Sequence, residues 1–215
     1  MIENIRWKEL ITEQETMVLE HQRIFPTHIY IDQECNFGLR DIKKWILDHY
    51  EENAVEWQSE PNLYEVEEFK PLVDKINNNV IEIFKDFKLN TDKFEITNMW
   101  ANVSKVGEGH RPHTHSNNFL SGIFYVSADL DDHNGITFTD PRPQSWVINP
   151  QREMTVDTAS ILTYKARTGT MYIFPAWLQH YVDINKSATN RIGISFNIML
   201  KGLVGNKNDL QSATF

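Results

Sequence analysis

Gly109-His110-Arg111-Pro112-His113-Thr114-His115 runs into Leu120-Ser121-Gly122-Ile123-Phe124-Tyr125-Val126, so a cluster of three histidines is followed at once by a strand-like run. Extended chain alternates its side chains between two faces. His113 and His115, two positions apart, therefore project to one side and can converge on a single ion. Neutral imidazole suits iron, zinc, copper and nickel better than calcium or magnesium, and it leaves redox chemistry open. A third ligand has to come from elsewhere in the chain. A bare His-x-His is equally compatible with a histidine-rich surface loop, so the rest of the sequence has to decide.

At 215 residues the chain can bury a sizeable core, and one domain is expected. Hydrophobic residues at 40% and aromatics at 12% are a folded rather than a disordered composition, and no apolar run approaches membrane-spanning length. The start, Met1-Ile2-Glu3-Asn4-Ile5-Arg6, has neither a basic segment nor an apolar stretch. No signal peptide is expected, and the expected location is cytoplasmic. Cys35 is the only cysteine, which excludes an intramolecular disulfide and a thiolate cluster and leaves nitrogen and oxygen as metal donors. A formal charge of −9 argues against extensive nucleic-acid binding, which needs a basic face. Glu51-Glu52, Glu65, Glu67 and Glu68 read as solvated surface.

From the beginning, Arg23 to Ile31 alternates around β-formers and reads as an early strand, with Pro26 tolerable near an edge. His21 and His28 have no partner at ligand spacing and read as ordinary histidines. Leu39 to Tyr50 and Phe69 to Phe87 repeat apolar residues at three and four, which predicts two amphipathic helices, with Pro71 suited to a first turn. Beyond Asn90 the period changes to two. Strands are expected at Phe94–Lys105, Leu120–Val126, Gly135–Thr139, Thr155–Tyr164, Thr170–Phe174 and Arg191–Leu200. Turn signals lie at Gly107-Glu108-Gly109, Asp131 to Gly135, Pro141-Arg142-Pro143 and Asn149-Pro150. The expected architecture is α+β: residues 1–93 supply a strand and two buttressing helices, 94–200 a β-barrel core, and 201–215 a C-terminal tail.

Two stretches of this second half carry chemistry. Gly169 to Phe174 reads as a strand ended by Pro175, followed by a turn that presents His180, a candidate third ligand. In Arg191-Ile192-Gly193-Ile194-Ser195-Phe196-Asn197-Ile198-Met199-Leu200 the even positions are all apolar, whereas the odd ones carry one cation followed by small or neutral groups. One face is core, and the other suits the lining of a polar cavity. A guanidinium fixed there would pair its planar fork with a carboxylate.

A His-x-Asp/Glu pair, a distal His and an Arg shortly beyond it mark the Fe(II)/2-oxoglutarate-dependent dioxygenases of the double-stranded β-helix type, a jelly-roll, cupin-like fold. This chain resembles them through His113-x-His115, His180 and Arg191, eleven residues after His180. The strings Leu120 to Val126, Asp140-Pro141-Arg142 and Arg191 to Asn197 are similar to a bacterial and phage branch whose first motif is His-x-His. The resemblance spans roughly residues 95–200. It implies that His113 and His180 bind iron, that Arg191 holds the distal carboxylate of 2-oxoglutarate, and that Tyr125 hydrogen-bonds the same carboxylate. It also implies coupling of 2-oxoglutarate decarboxylation to oxidation of a substrate C–H bond by dioxygen, with hydroxylation as the default outcome.

Two departures from the pattern stand out. Gly193 occupies the place of a common serine, with Ser195 a candidate replacement, and His115 stands where the carboxylate ligand is expected. The charges of Fe(II) and doubly ionised 2-oxoglutarate cancel, so three neutral imidazoles leave the centre near neutrality, whereas a carboxylate would leave it anionic. Asp140 or Glu108 could instead supply an oxygen ligand, with His115 turned towards substrate. Asn102 and Asn197 are candidates for the pocket wall, or amides that satisfy the backbone. Two other classes stay open: a cupin-like three-His metalloenzyme without 2-oxoglutarate, which leaves Arg191 unemployed, and a non-enzymatic binding module. The organic substrate and the oligomeric state, monomer or homodimer, are not legible.

Overall fold

In a computed structural model, which describes residues 20–35, 38–89, 91, 93–129, 135–142, 153–208 and 210–215, both helical repeats are helices. Helix α1 spans Leu39–His49 and buries Ile42 and Ile46; α2 spans Lys70–Asp86, has Pro71 in its first turn, and buries Leu72, Ile76, Val80, Ile83 and Phe84. Single-turn 3-10 segments at Leu63–Glu65 and Glu67–Phe69 lead into α2.

The strands are β1 (Tyr30–Asp32), β2 (Phe94–Ser104), β3 (His110–His113), β4 (Leu120–Ser127), β5 (Ile136–Thr139), β6 (Ile161–Tyr164), β7 (Met171–Pro175), β8 (His180–Val182) and β9 (Arg191–Leu200). A five-stranded sheet has the order β1-β7-β4-β9-β2 and a four-stranded sheet the order β3-β8-β5-β6, every pair antiparallel. From β2 to β9 the chain passes back and forth between the sheets. That is the winding of a jelly roll, so the fold is a double-stranded β-helix backed by helices.

Two cores result from the pleat. Residues of α1 and α2 pack on one face of the larger sheet with Leu120, Phe124, Ile192, Ile194, Phe196 and Ile198, while Ile123, Tyr125, Tyr172 and Phe174 meet Ile136 and Phe138 of the smaller sheet. The helix-side packing is tight where β4 and β9 cross: a Cβ added to Gly122 would lie 2.2 Å from the Phe196 ring, so only glycine fits opposite it. No helix among the described residues is long and apolar enough to cross a membrane.

Several expectations need correction. The early strand is confined to Tyr30–Asp32, because Phe25 takes a left-handed φ of 56° and Pro26 has no N–H to give a ladder. Of the stretch Thr155–Tyr164 only the last four residues pair. Thr155 to Thr158 close a turn instead, with the Thr158 amide donating to the Thr155 carbonyl and the Thr155 amide to Thr158 Oγ1. The C-terminal tail contains a short hairpin, β10 (Leu203–Val204) with β11 (Ala213–Thr214). The turns expected at Asp131–Asn134, Pro143 and Asn149-Pro150, and the N-terminal Met1 to Arg6, lie outside the described residues.

Candidate active site

His113 closes β3, and His180, presented by the turn after Pro175, opens β8 directly opposite it in the ladder. In that turn the Leu178 amide donates to the Pro175 carbonyl. His115 lies two residues past His113 on the same side, its amide held by the Ala176 carbonyl at 3.0 Å. Ring centroids are 4.4 Å apart for His113 and His180, 4.9 Å for His113 and His115, and 5.1 Å for His115 and His180. Each ring offers one nitrogen to a group whose members all lie within 4.8 Å of one another, and among the described residues no carboxylate joins it.

The donor set fits a transition metal. Nδ1 of His113 is 2.8 Å from the Arg111 carbonyl and Nδ1 of His180 is 2.9 Å from the Leu178 carbonyl. A carbonyl can only accept, so each Nδ1 carries the proton and each Nε2 keeps its lone pair for an ion. Burial, then the neighbouring His113 and His110, push the His115 pKa down to about 4. Burial pushes His180 to about 3, against the Leu178 carbonyl, which favours the charged form. Both imidazoles are therefore held in the neutral form that metal binding requires.

Across the same cavity stand Arg191, Gly193 and Ser195 of β9, Tyr125 of β4, and Asn102 of β2. Arg191 is buried, and its Nη2 donates to the Asp183 carbonyl at 3.0 Å. Tyr125 pairs with Gly193 in the ladder, and a Cβ added at 193 would meet Ile123 Cδ1 at 3.3 Å. Asn102, also opposite Gly193, donates from Nδ2 to Ser195 Oγ at 3.2 Å. Asn197 does not line this cavity. It lies further along β9, where its Oδ1 accepts from Ser121 Oγ at 2.8 Å. Asp140 is elsewhere too: its carboxylate is bound by Arg142 through Nε and Nη2, both at 2.9 Å, beside a different cavity. Glu108 does line the site, but Oε2 accepts from the Lys105 amide at 2.8 Å and Oε1 from the Glu56 amide at 3.4 Å, which fixes it to the loop.

Several wall residues escaped the sequence reading. Trp100 shares the inward face of β2 with Asn102, and its ring centroid is 6.2 Å from that of His115. Period-two spacing, which puts Trp100 and Asn102 on one face, could have found it. His110 sits 4.5 Å from His113 by ring centroids. Glu56, Trp57 and Gln58 come from an irregular segment that pairs with the edge of β2 through Gln58 and Asn102, and no local periodicity announces that contact.

The family described as "Putative 2OG-Fe(II) oxygenase" matches residues 98–197. Over that span the chain is similar to the 2OG-Fe(II) oxygenases. Among curated proteins none is similar in sequence. Solved structures similar in fold include SnoN, a non-heme alpha ketoglutarate dependent epimerase from nogalamycin biosynthesis, at 10% identity and a TM-score of 0.59, covering 86% of this chain and 83% of that one. HygX from Streptomyces hygroscopicus, with nickel and 2-oxoglutarate bound, is 10% identical with a TM-score of 0.58, covering 88% and 91%. A prolyl-4-hydroxylase from Pseudomonas putida is 10% identical with a TM-score of 0.57, covering 82% and 94%. At such identities the likeness carries the fold. The oxygenase assignment comes from the family match, and the three-imidazole centre fits Fe(II) as its metal.

Proposed function

We propose that this oxygenase is a hydroxylase whose iron is held by His113, His115 and His180 and whose 2-oxoglutarate is held by Arg191 and Tyr125, with Asn102 and Ser195 beside them. The observation that carries the reading is a buried guanidinium in the same cavity as three converging imidazoles. The guanidinium fork matches a carboxylate in shape and charge, and its Nη2 is steadied by the Asp183 carbonyl.

Bound iron and 2-oxoglutarate supply oxygen activation coupled to decarboxylation, and the protein's residues orient and insulate. His113 and His180, through Nε2, and His115 would hold the ion. Arg191 and Tyr125, which line the same cavity as the histidines, would hold the distal carboxylate of 2-oxoglutarate. Ile123, Ile136, Phe174 and Val182 line the cavity with apolar surface and keep bulk water off the reacting centre. Trp100, adjacent to His115, forms the wall on which an organic substrate would rest. The whole chain is read as one domain acting in the cytoplasm.

Metal stoichiometry tests the ligand set. His113→Ala and His180→Ala should each lose most bound iron by mass spectrometry of protein loaded anaerobically, while His115→Asp, which restores a carboxylate at the third position, should keep it. Iron equal to wild type in both alanine variants would remove the proposed centre.

A further inference from the structure

We infer that Gln58, outside the jelly-roll strands, is a positioning residue for the co-substrate, an inference that rests on the assignment of Asn102 and Ser195 proposed above. The segment carrying it is strapped to the edge of β2. The Val103 amide donates to the Trp57 carbonyl at 3.4 Å, Ser59 N–H to the Ala101 carbonyl at 3.0 Å, Ala101 N–H to Ser59 Oγ at 2.9 Å, and Met99 N–H to the Pro61 carbonyl at 2.8 Å. Trp57, buried and edge-on to Tyr50 at 5.5 Å, anchors the strap beside Gln58.

From this fixed base Gln58 Nε2 donates to Asn102 Oδ1 at 2.9 Å. An asparagine amide presents an acceptor at one end and two N–H donors at the other. With Oδ1 drawn to the strap, the NH2 end must face β9, where it donates to Ser195 Oγ at 3.2 Å. Ser195 Oγ, serving as acceptor there, has its own proton to give. Gln58 thereby sets the polarity of a row, Asn102 N–H and then Ser195 O–H, that offers donors to the cavity floor already holding Arg191 and Tyr125. A floor made of donors suits the oxygens of an anion and disfavours a ligand that brings its own donors.

The isosteric exchange Gln58→Glu separates this polarity role from packing. An ionised carboxylate cannot donate to Asn102 Oδ1, so the Asn102 amide should turn its NH2 towards the strap and present an acceptor to Ser195 and the cavity. The measurement is calorimetric titration of 2-oxoglutarate into nickel-loaded protein, where no turnover occurs. Gln58→Glu is expected to weaken binding by about tenfold or more, with nickel content and melting temperature as in wild type. Gln58→Met, which removes the donor without adding charge, should give a smaller loss. In an Asn102→Ala background Gln58→Glu should change affinity by less than about twofold, because the residue through which it acts is gone. An equal loss in both backgrounds would mean direct charge repulsion and would overturn the inference, as would wild-type affinity in Gln58→Glu. Failure of wild type itself to bind 2-oxoglutarate would overturn the co-substrate assignment and this inference with it.

Discussion

Arg191 and Ile192 are neighbours on β9 and equally buried, each 2% exposed, yet they serve opposite ends. Ile192, with Ile194, Phe196 and Ile198, faces α1 and α2 in a core built of apolar side chains. Arg191, with Gly193 and Ser195, faces the space between the sheets, where the buried groups include His180, Ser121 and Asn197. Burial alone therefore does not distinguish core from site. The difference is what each group requires: a buried isoleucine needs only contact, whereas a buried guanidinium needs acceptors and keeps its place only where something anionic or carbonyl-bearing answers it. One strand, by alternating, braces the fold with one face and holds ligand with the other.

If the two faces are independent, mutations on the helix side should change stability and leave ligand binding alone. Phe196→Ala, at a fully buried ring, should cost about 3–5 kcal/mol in denaturant unfolding. Where the variant remains folded, its affinity for 2-oxoglutarate should match wild type. Gly122→Ala overpacks the same contact from the other side and should cost about 1–3 kcal/mol, since the Phe196 ring is enclosed and cannot swing clear of the added methyl. A change in 2-oxoglutarate affinity with either substitution would break the division between the faces.

The inward face itself contains a boundary. Asn197→Ala strands the buried Ser121 hydroxyl, and the expected cost is about 1–2 kcal/mol of stability with no change in metal content or co-substrate affinity. The smallest effect is expected at Asp140. Asp140→Asn should leave iron content at the wild-type level, because its carboxylate is bound to Arg142 beside another cavity; loss of iron there would restore Asp140 as a candidate ligand.

How much of this was legible in the sequence follows from how local each signal is. The faces of β9 were readable because ten residues alternate without interruption, and that pattern gave both the core and the placement of Arg191 and Ser195 towards a cavity. His113 and His115 were readable as a pair for the same reason. The strand at His180 was not, because β8 is three residues long and its alternation is too brief to show. Asn197 obeys the alternation but sits past the cavity, a distinction of position along the strand that periodicity does not carry. Gln58 was invisible, since its role depends on a non-local pairing with Asn102 across an irregular segment. Arg23 to Ile31 looked like a strand because composition does not report a left-handed Phe25.

The central claim is that the inward face of β9 binds 2-oxoglutarate through Arg191 at a three-histidine iron centre. The most direct measurement is anaerobic titration of 2-oxoglutarate into the Fe(II)-loaded protein, following the visible charge-transfer absorption that keto-acid chelation of ferrous iron produces. Wild type should develop that band and saturate. In Arg191→Ala the midpoint should shift by at least about tenfold, in keeping with roughly 1.5–3 kcal/mol for a charge-assisted hydrogen bond, while iron content stays as in wild type. No band in wild type, or the same midpoint in Arg191→Ala, would contradict the account.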